Sequence, residues 1–235
     1  MSKATWAAAL VLALPSAPAA AQVGHDPAHS PYRPIFIRSS IMATGAYLSG
    51  SGGLLDLGPS SGALVGLRYE MRLSGPTDAS LSVSWGRLER MVADPDAPAD
   101  SQITGPVRQS VVLAEAGLTI LLTGDKTWNR LAPYLGGTLG LAIGGGVPTD
   151  SSGFKFSTKF ASGPHVGIRL YASERLTIRT EGRLLFWQLK YPSRFFAAPA
   201  RAPDDPPLLD LAGDSDSEWT SHPILLFAVG YAFRL

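Results

Sequence analysis

The four histidines are the first residues to test for chemistry, and their spacing limits what they can do. His25 and His29 form an H-x3-H pair inside a proline-rich stretch. Stable metal sites use three or four ligands, and the chain has no cysteine that could complete one. Ser221 precedes His222, but neighbouring residues of a strand point to opposite faces of a sheet. We therefore predict no metal site, no cofactor and no catalytic residue at these positions.

A second candidate is the run of carboxylates near the end of the chain. Asp210, Asp214, Asp216 and Glu218 lie within LDLAGDSDSEW. Closely spaced carboxylates can bind Ca²⁺, which prefers several oxygen ligands. A solvated acidic loop has the same composition, and we favour that interpretation. The Ca²⁺ site stays open as the alternative.

The fourth histidine, His165, belongs to a larger set of charged residues at alternating positions. In GALVGLRYEMRL (62–73) every second residue is apolar, and the charges lie between them. A period of two is typical of a strand with two unlike faces. RLTIRTEGRLLFWQ (175–188) repeats the pattern. The residues that we assign to one shared polar network are Arg68, Glu70, Arg72, Glu115, His165, Arg169, Arg179, Glu181 and Arg183.

Eight segments with strand character position these residues, and helical periodicity is absent. Their connections alternate in length: long, short, long, short, long, short, long. Long outer loops and tight periplasmic turns are typical of membrane barrels. The sequence thus predicts an all-β protein, an eight-stranded antiparallel up-and-down transmembrane β-barrel. The predicted strands are 37–49, 62–73, 79–92, 107–122, 130–143, 158–171, 175–190 and 222–235.

The 62–92 hairpin indicates on which side of the barrel wall the charged side chains lie. Centring its turn on SGPTD pairs Arg72 with Ser80, Glu70 with Ser82 and Arg68 with Ser84. Large side chains opposite small ones fit a narrow lumen. The chain has 15 arginines against five lysines, and arginine forms the bidentate pairs suited to a confined interior. The charges therefore face inward and the aliphatic side chains face lipid.

The amino-terminal residues have the pattern of an export signal. Lys3 precedes an apolar run from Ala4 to Leu14 that is too short to span a bilayer. Small residues before Gln22 complete the pattern. We predict a signal peptide (1–21), an irregular periplasmic lead-in (22–36) and a barrel (37–235). Without Lys3 the chain has 19 basic and 19 acidic residues and no basic stripe, so nucleic acid is not an expected partner.

Three stretches carry a family resemblance. LAPYLGGTLGLAIG (131–144), GPHVGIRLYASERLTIRTEGRLLFW (163–187) and the final FAVGYAFRL resemble small bacterial outer-membrane barrels, the OmpA-like transmembrane domain group. The resemblance implies outer-membrane localisation. It also implies that the last strand acts as a signal for the barrel-assembly machinery. The residues of this assembly signal are Phe227, Gly230, Tyr231, Phe233 and Leu235.

An enzymatic barrel that modifies lipid is one alternative. Centring the turn ASE places His165 opposite Glu181, a pairing that could serve catalysis or fill the lumen. Lipid A deacylases carry His-x-Ser on one strand, but here Gly167 stands in the serine position. With no nucleophile beside the histidine, we favour a structural pair.

We expect a non-enzymatic, monomeric barrel with a structural or surface-interaction role through its long extracellular loops. Its expected partners are outer-membrane lipid and lipopolysaccharide, with divalent ions bridging the acidic loops to the latter. Eight strands leave an interior just wide enough for side chains, so a narrow transport or ligand-binding barrel is the alternative. A soluble lipocalin-like barrel is the alternative fold. The connection 191–221 is predicted to be the most exposed and mobile part.

Overall fold

The described residues contain ten strands and two short 3-10 turns. The computed structural model describes residues 30–201, 203–210 and 213–233, so the predicted signal peptide 1–21 and Leu235 lie outside it. In this described part, no helix has the length and hydropathy needed to cross a bilayer. The strands are β1 (Tyr32–Pro34), β2 (Ser39–Leu48), β3 (Gly62–Ser74), β4 (Thr77–Ala93), β5 (Ile103–Leu121), β6 (Lys126–Trp128), β7 (Leu131–Gly144), β8 (Thr158–Tyr171), β9 (Leu176–Lys190) and β10 (Ser217–Phe233).

Eight of these strands close into a ring. The order around it is β7, β5, β4, β3, β2, β10, β9 and β8, and β7 pairs with β8 to close it. Every pairing in the ring is antiparallel. The predicted eight-stranded antiparallel up-and-down barrel is therefore confirmed. Strands β5 and β10 begin earlier than predicted, at Ile103 and Ser217, because their first residues, ITGP and SEWTS, show no regular apolar alternation.

The two ends of the barrel differ in the length of their connections. At one, which we call the short-turn end, the connections are 75–76, 122–130 and 172–175. At the other, which we call the long-loop end, the connections are 49–61, 94–102, 145–157 and 191–216.

The register of the β3–β4 hairpin differs from the prediction by two residues. Arg72 pairs with Asp78, Glu70 with Ser80 and Arg68 with Ser82. The predicted serine partners were wrong because the chain turns within Gly75 and Pro76 instead of across SGPTD. The tight turn needs a positive φ, and Gly75 adopts one of 49° without steric cost. A shift by an even number leaves every side chain on its predicted face.

The β8–β9 hairpin is shifted in the same way. His165 pairs with Arg183, and Glu181 pairs with Gly167, so the predicted His165–Glu181 pair was wrong. The turn extends through Arg175 because the Ser173 hydroxyl oxygen accepts the N–H groups of Arg175 and Leu176 at 3.3 and 3.0 Å. Such local bonds are typical of serine in turns.

A short ribbon at the short-turn end lies partly in the segment predicted to be irregular. Strand β1 pairs with β6, with Tyr32 opposite Trp128. Beyond β1, Ile35 and Ile37 pack against an apolar cluster inside this end of the barrel. The cluster consists of Leu121, Ala132, Tyr134 and Tyr171.

Candidate functional site

Outward-facing side chains form an apolar belt around the barrel wall. Leu67 is 62% exposed, while the next residue, Arg68, is 1% exposed. On β9, Leu184 is 38% exposed and Arg183 is 8% exposed. Water would favour the reverse arrangement, whereas lipid accepts the aliphatic face and excludes the charges. Further outward apolar residues are Val65, Leu81, Val83, Leu118, Leu139, Val166, Ile168, Leu225 and Val229.

All nine residues assigned to the polar network point into the barrel. Eight of them are buried, and Arg72 is half-buried. Two residues that the sequence analysis missed join them, Asp78 and Tyr134. Asp78 was counted as part of a turn, although its spacing from Ser80 and Ser82 on the inward face of β4 could have identified it.

Glu181 is the centre of this network. It is fully buried and lies against three guanidinium groups, those of Arg68, Arg179 and Arg183. The distance from Arg68 Nη1 to Glu181 Oε2 is 3.4 Å. The Tyr134 hydroxyl donates to the same carboxylate oxygen at 2.9 Å. One carboxylate therefore compensates several confined positive charges.

A second group of ion pairs lies nearer the short-turn end. Arg169 Nη2 donates to Glu70 Oε2 at 2.7 Å, and its Nη1 donates to Asp78 Oδ2 at 2.9 Å. Arg72 Nε donates to the other Asp78 oxygen at 3.0 Å. Arg179 contacts Glu70 and connects this group to Glu181. The nine assigned residues include five arginines but only three glutamates. Asp78 supplies part of the missing negative charge.

His165 completes the network on its other side. Its Nε2 lies 3.1 Å from Thr119 Oγ1 and 4.0 Å from Glu181 Oε2. Both His165 and Thr119 are buried, and the Tyr134 ring packs edge-on against the imidazole at 6.0 Å. Arg183 Nη1 donates to Glu115 Oε2 at 2.9 Å. These contacts are those of a packed polar core.

The long-loop end is closed by apolar side chains, which the sequence analysis did not anticipate. Inward residues of the strands meet residues of three of the four long loops there, 49–61, 145–157 and 191–216. We call this cluster the apolar plug; its members are Leu48, Leu55, Leu57, Leu64, Leu88, Ala93, Val111, Leu113, Ala142, Phe154, Phe156, Ala161, Leu185, Trp187, Leu189, Tyr191, Phe195, Leu209 and Ile224. The connection 191–221 was predicted to be exposed, and that was wrong for Tyr191, Phe195 and Leu209, which are buried.

Polar contacts also hold the long loops together. Arg194 Nη2 lies 2.8 Å from Asp96 Oδ2, and Arg201 Nη1 lies 3.2 Å from Asp94 Oδ2. These exposed pairs bring the loop 191–216 onto the loop 94–102. Exposed pairs contribute little to stability, so the apolar plug is the main attachment of the loop 191–216.

Some of the acidic residues near the end of the chain also form hydrogen bonds with loop residues. Glu218 Oε1 accepts the Leu54 N–H at 2.6 Å and the Tyr191 hydroxyl. Burial, and then this hydrogen bond, raise the pKa of the Tyr191 phenol. Asp214 accepts the Asp210 N–H at 2.9 Å. Within the described residues, no group of three potential metal ligands comes together.

We expect trypsin added to whole cells to cut after Arg201 before it cuts after Arg194. The Arg201 side chain is 67% exposed, whereas that of Arg194 is 41% exposed and sits in a 3-10 turn whose Phe195 is buried. Cleavage requires local opening, which costs least where few apolar contacts must break. Mass spectrometry of the fragments gives the order, and Arg201→Gln should remove the first fragment. First cuts in the connection 122–130 would instead reverse the assigned orientation.

The last strand has the alternation assigned to the assembly signal. Phe227 and Tyr231 face outward, at 52% and 54% exposed. Gly230 faces inward, and Phe233 is partly exposed at the end of the strand. Leu235 lies outside the described residues. The role of these residues in assembly remains a prediction.

Comparison with known proteins gives a result at the level of fold. No protein-family model matches the chain, and no curated protein matches it in sequence. The crystal structure of Neisserial surface protein A (NspA) superimposes with a TM-score of 0.53 at 14% identity, covering 83% of this chain and 97% of that one. For the outer membrane protein OprG from Pseudomonas aeruginosa the TM-score is 0.48 at 11% identity, with 85% and 98% covered.

The likeness to NspA and the apolar outer wall of the barrel lead to the same conclusion. A closed antiparallel barrel with lipid-facing aliphatic side chains and an inward charge network satisfies its backbone hydrogen bonds internally, as a membrane-spanning sheet must. The chain is therefore a small β-barrel of the bacterial outer-membrane type, and its apolar belt places it in that membrane.

Proposed function

We propose that this chain is a sealed, non-enzymatic barrel that acts through the surface of its long loops. The filled lumen is the observation that supports this. Eight buried charged residues occupy its middle, the apolar plug fills the long-loop end, and Ile35 and Ile37 pack into the short-turn end. A barrel filled in this way has no path for a solute, so its contacts with other molecules are made outside the lumen.

The short-turn end faces the periplasm in this proposal, and the long loops face the exterior. Short periplasmic turns and longer outer loops are the general arrangement of such barrels. The outer end is acidic, with exposed carboxylates at Asp100, Asp204, Asp210 and Asp216. Carboxylates favour hard divalent cations, and such cations can bridge them to the phosphates of lipopolysaccharide. Lipopolysaccharide is therefore the partner that we propose for this surface, with the barrel as a monomer.

The barrel is expected to form no stable conductance in a planar lipid bilayer. An open pore would require the plug and the ion pairs around Glu181 to separate together. Single-channel recording with the folded protein tests this, with a known porin as the positive control. Stepwise, reproducible openings would contradict the proposal and favour the narrow transport barrel.

A further inference from the structure

A cavity of about 310 Å³ lies at the short-turn end, where the barrel wall meets its rim. Its volume is at the lower end of the range for small-molecule pockets, about 300–1,000 Å³. The residues around it come from the segment before β2, from the β8–β9 turn and from the end of β10. They are Ile37, Glu174, Arg175, Tyr231, Ala232 and Phe233.

We propose that this cavity binds the headgroup of a zwitterionic phospholipid, phosphatidylethanolamine, in the periplasmic leaflet. The two charged residues of the cavity are sequence neighbours of opposite sign, Glu174 and Arg175. A phosphodiester needs a cationic donor, and guanidinium is well suited to phosphate oxygens. A primary ammonium needs an anionic acceptor. One headgroup carries both complementary charges a few bonds apart.

Both charged groups have bonding capacity to spare. Arg175 Nη1 donates to the Tyr231 hydroxyl at 3.1 Å, which holds the guanidinium over the cavity side of β10 and leaves other N–H donors available. In the described part of the chain, the exposed Glu174 carboxylate has no hydrogen bond or ion pair. A bound headgroup would satisfy both groups.

The position of the cavity favours a lipid over a soluble ligand. Tyr231 pairs with Leu176 on one side and with Ile41 on the other. These three outward residues are 54%, 41% and 51% exposed and belong to the apolar belt. An acyl chain attached to a headgroup in the cavity would lie directly on this surface. Tyrosine at the boundary between lipid and water is typical of membrane proteins.

Native mass spectrometry of the detergent-purified barrel tests the proposal. The probe is an equimolar mixture of phosphatidylethanolamine, phosphatidylglycerol and phosphatidylcholine with identical acyl chains. We expect phosphatidylethanolamine to be retained preferentially. Arg175→Gln should weaken its retention roughly tenfold, the effect of one charge-assisted hydrogen bond. Glu174→Gln should remove the preference over phosphatidylglycerol, because the carboxylate that repels an anionic headgroup is gone.

The matched control is Arg130→Gln in the neighbouring connection. Arg130 is also exposed at this end, and its Nη1 donates to the Ala172 carbonyl at 3.2 Å, but it does not line the cavity. It should leave lipid retention unchanged, with all variants verified as folded by circular dichroism. Equal effects of Arg130→Gln and Arg175→Gln would overturn the site, as would equal retention of the three lipids by the unmodified chain. Competition by soluble O-phosphoethanolamine at the same concentration would overturn the assignment to a lipid.

Discussion

Replacing Glu181 by glutamine is expected to lower the unfolding free energy of the barrel by about 3–5 kcal/mol, the cost of breaking a fully buried ion pair. Glu181 is the best-connected acid of the lumen, with no exposed surface and contacts to Arg68, Arg179 and Arg183. Glutamine keeps the shape and one acceptor oxygen but removes the charge. The three guanidinium groups would then remain in the lumen with too few anions.

Urea unfolding in detergent, followed by circular dichroism, measures this loss. The control is Leu184→Ala on the lipid-facing side of the same strand, where truncation removes aliphatic surface but leaves no charge unpaired. We expect the smaller loss for the control. If Glu181→Gln were neutral, the carboxylate would not be compensating the arginines, and the lumen network would be misassigned.

A double variant separates charge compensation from simple packing. Arg68→Met removes one of the guanidinium groups that Glu181 compensates, and Arg68 Nη1 also lies 3.6 Å from Glu70 Oε1. If unpaired charge is the main cost, Arg68→Met should recover part of the stability lost in Glu181→Gln, a coupling that a double-mutant cycle measures. Additive losses would point to packing instead.

The sequence predicted the faces of the strands better than their partners. Alternation has a period of two, so it identifies which side of the sheet Arg68 or Arg183 occupies without any knowledge of the neighbouring strand. The partner depends on where the chain turns. The β3–β4 and β8–β9 hairpins do not turn at the centres of SGPTD and ASE, where the prediction had placed their turns. The predicted serines opposite Arg72 and Glu70 were consequently displaced by one pair along the same face.

The closure of the long-loop end could not be predicted in the same way. Phe195 and Leu209 lie in a connection rich in proline and aspartate, whose composition favours exposed chain. Their burial depends on contacts with loops far away in the sequence, which local patterns do not contain. One signal was present: the inward positions Leu64, Leu185 and Trp187 are apolar toward the long-loop end of their strands, where a hydrated lumen would carry polar residues.

Truncating Trp187 to alanine is expected to cost about 3–5 kcal/mol of unfolding free energy, as for other fully buried aromatic side chains. Its ring stacks on His222 with the centroids 3.8 Å apart and meets the edge of Phe156 at 5.4 Å. His222 cannot collapse into the space, because it lies on β10, which the barrel wall fixes. A cavity would therefore remain in the centre of the apolar plug, and the loss should include both the transfer and the cavity contributions.

The matched control is Trp85→Ala, since Trp85 is a tryptophan on the outer wall. It is 46% exposed, and its indole N–H donates to Ser110 Oγ at 2.8 Å. Removing it leaves a groove that detergent or lipid can fill, so we expect a clearly smaller loss than for Trp187→Ala in the same urea titration. Equal losses would mean that the plug is not a packed core.

Planar-bilayer recording of Trp187→Ala should show no conductance, because the ion pairs around Glu181 still fill the lumen below the cavity. Stepwise openings would show that the plug alone seals the barrel.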